Sequence, residues 1–299
     1  MERIRAAAAR LMAYLRSHKR ARIACIAALV LLAALIVLHP YGTRTYLVLG
    51  MDNYGSLEET GRSDVILLAQ VDFTRTRISA VTFARDLFID NERGRSTKIN
   101  TVVRSADEQT LCSLIEQNFG VHIDGWFRVN FTTVIELVDA IGGAEMELTD
   151  AEARYITRTV GAYPGYPMQE GLCRLNGAQA LCYARCRKLD NDMGRGDRQS
   201  KLLAAMVRQT RRMTAANVLS VFRSLNHAWR SSLSGLEQVA LVGKALWLRG
   251  ARVDRYAVPF EDTWKYGNAN GQSGVVADLD ENRTLLLEAL NLPAPRAAE

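Results

Sequence analysis

Val65-Ile-Leu-Leu-Ala-Gln-Val71 and Ile78-Ser-Ala-Val-Thr-Phe83, separated by six residues, are the stretch on which the fold turns. Both are short runs rich in Val, Ile and Leu, and they read as buried strands. Upstream, Tyr46–Gly50 is a third short apolar run. Downstream, Thr101–Phe119 has helical spacing, with Val102, Leu111, Leu114, Ile115 and Phe119 apolar. Trp126–Phe131 reads as a strand, and Thr132–Ile141 as a helix stopped by Gly142-Gly143. Glu145–Leu148 reads as a strand leading to an Asp150 N-cap. Val160–Gly171, rich in Gly and Pro, reads as a loop. Leu175–Tyr183, Ser200–Arg212 and Leu236–Trp247 are expected to be helices, and Val253–Val258 a late strand. Leu279–Leu290 should close the chain as a helix behind Asp278 or Asp280. Strands mixed with helices indicate a layered α/β or α+β domain. The tail Pro293–Glu299 is expected to be disordered.

The ends of the chain qualify its composition. Seven of its 38 basic residues, with one acid, fall in residues 1–22, which leaves 31 basic and 31 acidic residues in 23–299. The body is therefore formally neutral, which argues against a nucleic-acid surface. Next comes Ile23–Leu38, 16 residues without a charge. Extended to residue 39, it reaches the short end of a membrane-spanning helix. The basic flank predicts a cytoplasmic N-terminus and an exported body. A cleaved signal peptide is the rival reading, but His39-Pro-Tyr-Gly is a poor small-residue cleavage site. The expected organisation is a basic tail (1–22), an anchor (23–39), a body (40–292) and a tail (293–299). Cys112, Cys173, Cys182 and Cys186 lie in the body, and an even number in an oxidising compartment suggests one or two disulfides. Their spacing lacks the two close pairs of a zinc ribbon.

The chemistry is concentrated in Tyr183-Ala-Arg185-Cys-Arg187-Lys188 and Arg195-Gly-Asp-Arg198-Gln199. Arg185 and Arg187, two apart, share a side if the segment is extended. Arg195, Arg198 and Gln199 share one face near the start of a helix. Guanidinium groups beside a helix N-terminus suit phosphate oxygens. Asp52 follows the first strand, Arg62-Ser63-Asp64 leads into the second, and Arg85-Asp86 ends the third, with Lys98-Ile-Asn100 beyond. Carboxylates such as Asp52 and Asp64 suit Mg²⁺ shared with substrate phosphates. No nucleophile elbow, P-loop or H-E-x-x-H occurs, and His18, His39, His122 and His227 are scattered. Positioning plus charge neutralisation is then the natural mechanism.

The ordered motifs Leu49-Gly50-Met-Asp52, Arg62-Ser-Asp64, Ala84-Arg85-Asp86, Lys98-Ile-Asn100, Asp124 through Val129-Asn130-Phe131, Leu137-Val-Asp139-Ala-Ile-Gly-Gly143, Leu175-Asn176-Gly177-Ala-Gln-Ala-Leu181-Cys-Tyr183-Ala-Arg185, Arg187-Lys188 and Asp192-Met-Gly-Arg195 to Gln199 resemble the LytR-CpsA-Psr family. They span residues 46 to about 205. The resemblance implies a three-layer α/β/α-like domain around a central mixed sheet, outside the bacterial membrane on one N-terminal anchor. It implies transfer of a polyprenyl-pyrophosphate-linked glycopolymer onto peptidoglycan, with the lipid in an apolar channel. Asp52 and Asp64 match the family's Mg²⁺-associated aspartates. Arg62, Arg85, Arg185, Arg187, Arg195 and Gln199 match its pyrophosphate-contacting residues, with Lys98 added from its place beside them. Arg62, Arg85 and Asp86 are the candidate catalytic residues, with Asp86 or one of the other aspartates as general base. A hydrolase of the same donor and a non-catalytic wall-binding module are the alternatives. Ala84 stands where the family usually has Pro, which is expected to loosen the backbone before Arg85. A Cys173–Cys186 or Cys173–Cys182 disulfide is expected to brace the arginine loop.

Overall fold

The computed structural model describes residues 41–293, apart from 55, 58–62, 92, 161–167, 187–188, 190–191 and 226. The expected basic tail, the 23–39 anchor and the tail from 294 lie outside the described residues. No helix of the described residues is long and apolar enough to cross a membrane.

The strands are β1 (Thr43–Met51), β2 (Ser63–Asp72), β3 (Arg77–Phe83), β4 (Phe88–Asp90), β5 (Ser96–Lys98), β6 (Gly125–Val129), β7 (Ala144–Leu148), β8 (Gly171–Leu175), β9 (Arg230–Ser231), β10 (Arg252–Val258), β11 (Trp264–Ala269) and β12 (Gln272–Ala277). The main helices are α1 (Glu108–Phe119), α2 (Phe131–Ala140), α3 (Asp150–Val160), α4 (Gly177–Arg185), α5 (Asp192–Arg211), α6 (Ala215–Leu225), α7 (Gly235–Ala245) and α8 (Leu279–Ala289). Six strands form one mixed sheet in the order β10-β3-β2-β1-β6-β9. β1, β2 and β3 run antiparallel in sequence, while β6 lies parallel to β1 and β10 parallel to β3.

Side chains alternate across this sheet because successive strand residues point to opposite faces. On β1, Leu47, Leu49 and Met51 enter a core shared with Leu111, Leu114, Ile115 and Phe119 of α1 and Leu286 and Leu287 of α8. Burying each such side chain contributes about 1.5–3 kcal/mol. Val48 and Gly50, one residue out of step, face a cavity on the other side. A second core joins the antiparallel β7–β8 pair to α2, α3, α4 and α5 through Val138, Met146, Ile156, Leu175, Tyr183 and Leu202.

The structure corrects several expected boundaries. Trp126–Phe131 is not one strand: Asn130 caps α2, accepting from Thr133 N, and Phe131 is already helical. α3 is capped by Thr149, whose Oγ1 accepts from Glu152 N while Glu152 accepts from Thr149 N, so Asp150 is its first helical residue. The end of the expected 160–171 loop begins β8, and Leu175 closes that strand rather than opening α4. The cap of α4 is Asn176, in a reciprocal box with Gln179. Between Tyr256 and Leu279 the chain inserts a hairpin of β11 and β12.

Candidate functional site

The segment 84–87 after β3 is tied down by main-chain bonds from several elements. Ala84 N donates to Val258 O at 2.7 Å, Asn100 N to Arg85 O at 3.3 Å, Val275 N to Asp86 O at 2.9 Å and Ile99 N to Leu87 O at 2.9 Å. A proline at 84 has no N–H to give to Val258. Ala84 therefore fixes the backbone before Arg85 instead of loosening it. A Cβ on Gly274 would stand 2.7 Å from Asp86 O, so the close approach of β12 to this segment requires glycine.

So placed, Arg85 reaches Asp64 Oδ1 with Nη1 at 3.2 Å and Asp86 Oδ2 with Nε at 3.4 Å. Lys98 Nζ lies 3.7 Å from Asp86 Oδ1 and over the Phe88 ring. Asp64, Arg85, Asp86 and Lys98 thus form one chain of charges at the ends of β2, β3 and β5. A second pair stands beside it. Asp52 follows β1, whose register with β2 shifts between Gly50 and Met51, so that Gly50 opposes Val65 and Met51 opposes Ser63. Arg185 Nη2 meets Asp52 Oδ1 at 3.2 Å, and its guanidinium carbon stacks 3.9 Å from the Phe131 ring centre. The described charges balance, with Asp52, Asp64 and Asp86 against Arg85, Lys98 and Arg185.

Arg185 belongs to the last turn of α4 and not to the extended segment expected for it; the backbone becomes extended at Cys186. Arg62 and Arg187 lie outside the described residues. Arg195 lies in α5, as expected, and Gln199 sits one turn later, with Nε2 3.5 Å from Ala184 O. Thr82 and Ser200 share a buried 2.9 Å hydrogen bond that holds this turn against β3, where Gly196 packs on Thr82. Arg198 does not join the site. It is buried and donates to Cys186 O at 2.5 Å, tying the end of α4 to α5.

Asp52, Asp64, Arg185 and Gln199 all line one cavity of about 680 Å³. The rest of its wall is mostly apolar: Val48 and Val65 of the sheet, Phe131, Val134 and Leu137 of α2, Val160 of α3, Leu181 of α4, and Leu202 and Met206 of α5. A second cavity of about 300 Å³ shares Val129, Thr133 and Leu137 with the first. A mostly apolar cavity with a few charged and polar groups in its wall takes a ligand with an apolar body and a polar head.

Phe131, the Arg185 stacking partner, and Tyr155 in the cavity wall had no expected role, and Cys182, expected as a disulfide partner, lines the cavity instead. The aromatic residue directly after Val129-Asn130 was the available signal for Phe131. Burial pushes the Cys182 thiol and the Tyr155 hydroxyl up, so both stay protonated at neutral pH. Two other motif aspartates are structural. Asp124 accepts from Thr45 N at 2.8 Å and pairs with Arg44, and Asp139 accepts from Gly177 N at 2.7 Å. The expected disulfides are absent. All four body cysteines are buried free thiols, and Cys112 belongs to the α1 core while Cys173 and Cys182 belong to the other.

A family model for the LytR_cpsA_psr family matches residues 30–285. The chain belongs to the LytR_cpsA_psr family. Within it, the chain is 32% identical over 170 residues to a protein of Halalkalibacterium halodurans named polyisoprenyl-teichoic acid–peptidoglycan teichoic acid transferase TagU, covering 55% of this chain and 52% of the relative. It is 26% identical over 182 residues to the Bacillus subtilis protein of the corresponding name, TagV, covering 58% and 45%. The chain spans about half the length of these curated relatives. Among solved structures, TagT bound to LIIa-WTA superposes with a TM-score of 0.68 at 20% identity, over 84% of this chain and 91% of that one. The LytR_cpsA_psr fold thus extends over most of the described body.

Proposed function

We propose that this protein is a transferase that moves a polyprenyl-pyrophosphate-linked glycopolymer onto peptidoglycan. The reading places a three-layer α/β/α-like body outside the bacterial membrane on a single helix at residues 23–39, with residues 1–22 in the cytoplasm. The observation that carries it is the mostly apolar cavity whose wall holds the Asp52–Arg185 pair and Asp64, the partner of Arg85. The names of the relatives, transferases of polyisoprenyl-linked teichoic acid to peptidoglycan, agree with it.

The polyprenyl chain occupies the apolar part of the cavity. The pyrophosphate takes the arginine forks of Arg85 and Arg185, exchanging them from their aspartates. Arg62, Lys98, Arg187, Arg195 and Gln199 are the further contacts in this reading. A hydroxyl of the wall acceptor attacks the phosphorus that bears the glycan. The new P–O bond forms as the bridging P–O bond breaks, and polyprenyl phosphate departs with both bridging electrons. The hydroxyl proton passes to Asp86, held between Arg85 and Lys98. Arg85, its backbone fixed beforehand by the 84–87 hydrogen bonds, and Arg185, carried by α4, stabilise the charge on the departing phosphate.

Two carboxylates at the cavity suit Mg²⁺, which takes one or two protein oxygens and completes its shell with phosphate and water. Asp52 and Asp64 would hold it, and its charge would neutralise the pyrophosphate.

The test is mass spectrometry of the full chain incubated with a polyprenyl-pyrophosphate oligosaccharide, Mg²⁺ and peptidoglycan fragments. Glycan joined to peptidoglycan, lost in Arg85→Ala, is expected. Free glycan phosphate without conjugate, in reactions where acceptor is present, would replace the transferase by a hydrolase. An untouched donor would overturn the assignment.

A further inference from the structure

Helix α7 carries apolar residues on two sides, and none of its residues is buried. Gln238, Leu241 and Val242 line the second cavity. Leu236, Val239, Ala240 and Gly243 repeat at helical spacing on another side and are exposed, Leu236 at 85%, and the stripe continues to exposed Trp247 just beyond. Contiguous exposed apolar surface on a folded domain marks a binding face.

The surroundings say what covers it. From Met213 to Ala251 the sequence holds four basic residues, Arg223, Arg230, Lys244 and Arg249, against one acid, Glu237, although residues 23–299 as a whole are neutral. The N-terminal end of α7 also lies by the start of β1. Tyr46 of β1 is paired with Gly125 of β6. Gly125 packs on Leu233, and Trp126 exchanges hydrogen bonds with Ser232, just ahead of α7. Four residues separate the apolar run ending at Leu38 from Thr43, the first residue of β1. A chain of that length spans at most about 15–20 Å. On the anchored reading, the chain therefore enters the body at the start of β1.

We infer that the face Leu236, Val239, Ala240, Gly243 and Trp247 lies in the interface of an anionic lipid bilayer. The apolar stripe enters the headgroup–acyl boundary and the basic excess of the 213–251 segment favours anionic headgroups, as in interfacial helices. The second cavity, walled by the other side of α7, then sits against the lipid from which the donor comes. This inference rests on the anchored-transferase reading above.

The full chain is reconstituted in vesicles of phosphatidylcholine and phosphatidylglycerol carrying bromine on their acyl chains, and tryptophan emission is compared with that in unbrominated vesicles. Quenching is expected in the wild type, and most of it should disappear in Trp247→Tyr. Equal quenching in both proteins would overturn the inference, as would a Trp247 shielded from aqueous quencher but untouched by bromine, which indicates a protein partner. A Leu236→Ser/Val239→Ser variant, altered only at exposed positions, should lose turnover of a long-chain donor held in the bilayer and keep that of a short-chain soluble donor. Equal loss on both donors contradicts docking. A wild type inactive on either donor refutes the transferase reading, while bromine quenching still decides the docking.

Discussion

At the scale of single residues, the site consists of arginines held ready by aspartates. Asp52 and Asp64 each accept from one guanidinium at 3.2 Å, and both border the same cavity. Partly exposed pairs of this kind contribute little to stability, typically 0–1 kcal/mol. Their use is to orient the forks and, on the reading above, to share a cation with the substrate. Chelating divalent ions should therefore lower transfer, and added Mg²⁺ should restore it. In Asp52→Asn/Asp64→Asn the restoration should be lost while thermal stability stays near the wild type. Full activity in chelator would show that the two aspartates serve only as arginine partners. The pattern Asp52, Asp64, Arg85-Asp86, Lys98 and Arg185 was legible in the sequence because the motifs carry it. That Arg198 turns inward to Cys186 O was not, since one helix face accommodates a ligand contact and a buried tie equally well.

At the scale of elements, α4 is the part that aims Arg185. It is capped by Asn176 in a box with Gln179 and runs only nine residues, of which Arg185 is the last. Its first residue touches α2 so closely that a Cβ on Gly177 would stand 2.3 Å from Ile135 O. Gly177→Ala should thus cost about 1–3 kcal/mol by overpacking, read by thermal unfolding, and should also weaken donor binding by moving α4. An unchanged melting temperature would mean that α2 and α4 are looser than the structure shows. On the opposite face, Asp107 caps α1 through Thr110 N at 2.7 Å, and these hydrogen bonds hold its carboxyl below the usual value. A depressed folded-state pKa contributes stability above the unfolded value and loses it as pH falls. Asp107→Ala should cost about 1 kcal/mol at neutral pH. That deficit should shrink below the unfolded Asp value of about 3.9. Denaturant titrations at several pH values check this. The strands β1, β2, β3 and β10 could be read from their apolar runs. Strand β8 could not, because its five residues contain Arg174 and exposed Leu172, and only pairing with β7 makes them a strand.

At the scale of the molecule, the sheet separates structure from chemistry. One face is sealed by α1 and α8 around Leu47, Leu49, Ile66 and Phe83. The other opens on two neighbouring cavities, the first bordered by Asp52, Asp64 and Arg185. The sequence suggested an apolar channel only through family resemblance, because the wall takes a few residues from each of many separate elements and no single periodicity reports it. The central claim, one site for an apolar chain and a pyrophosphate together, is tested most directly by equilibrium binding of three ligands: a polyprenyl pyrophosphate, the monophosphate and the alcohol. Affinity should fall in that order, and Arg185→Ala should weaken the pyrophosphate by about 1.5–3 kcal/mol while hardly affecting the alcohol. Equal affinity for all three, or a pyrophosphate affinity indifferent to Arg185, would contradict the account.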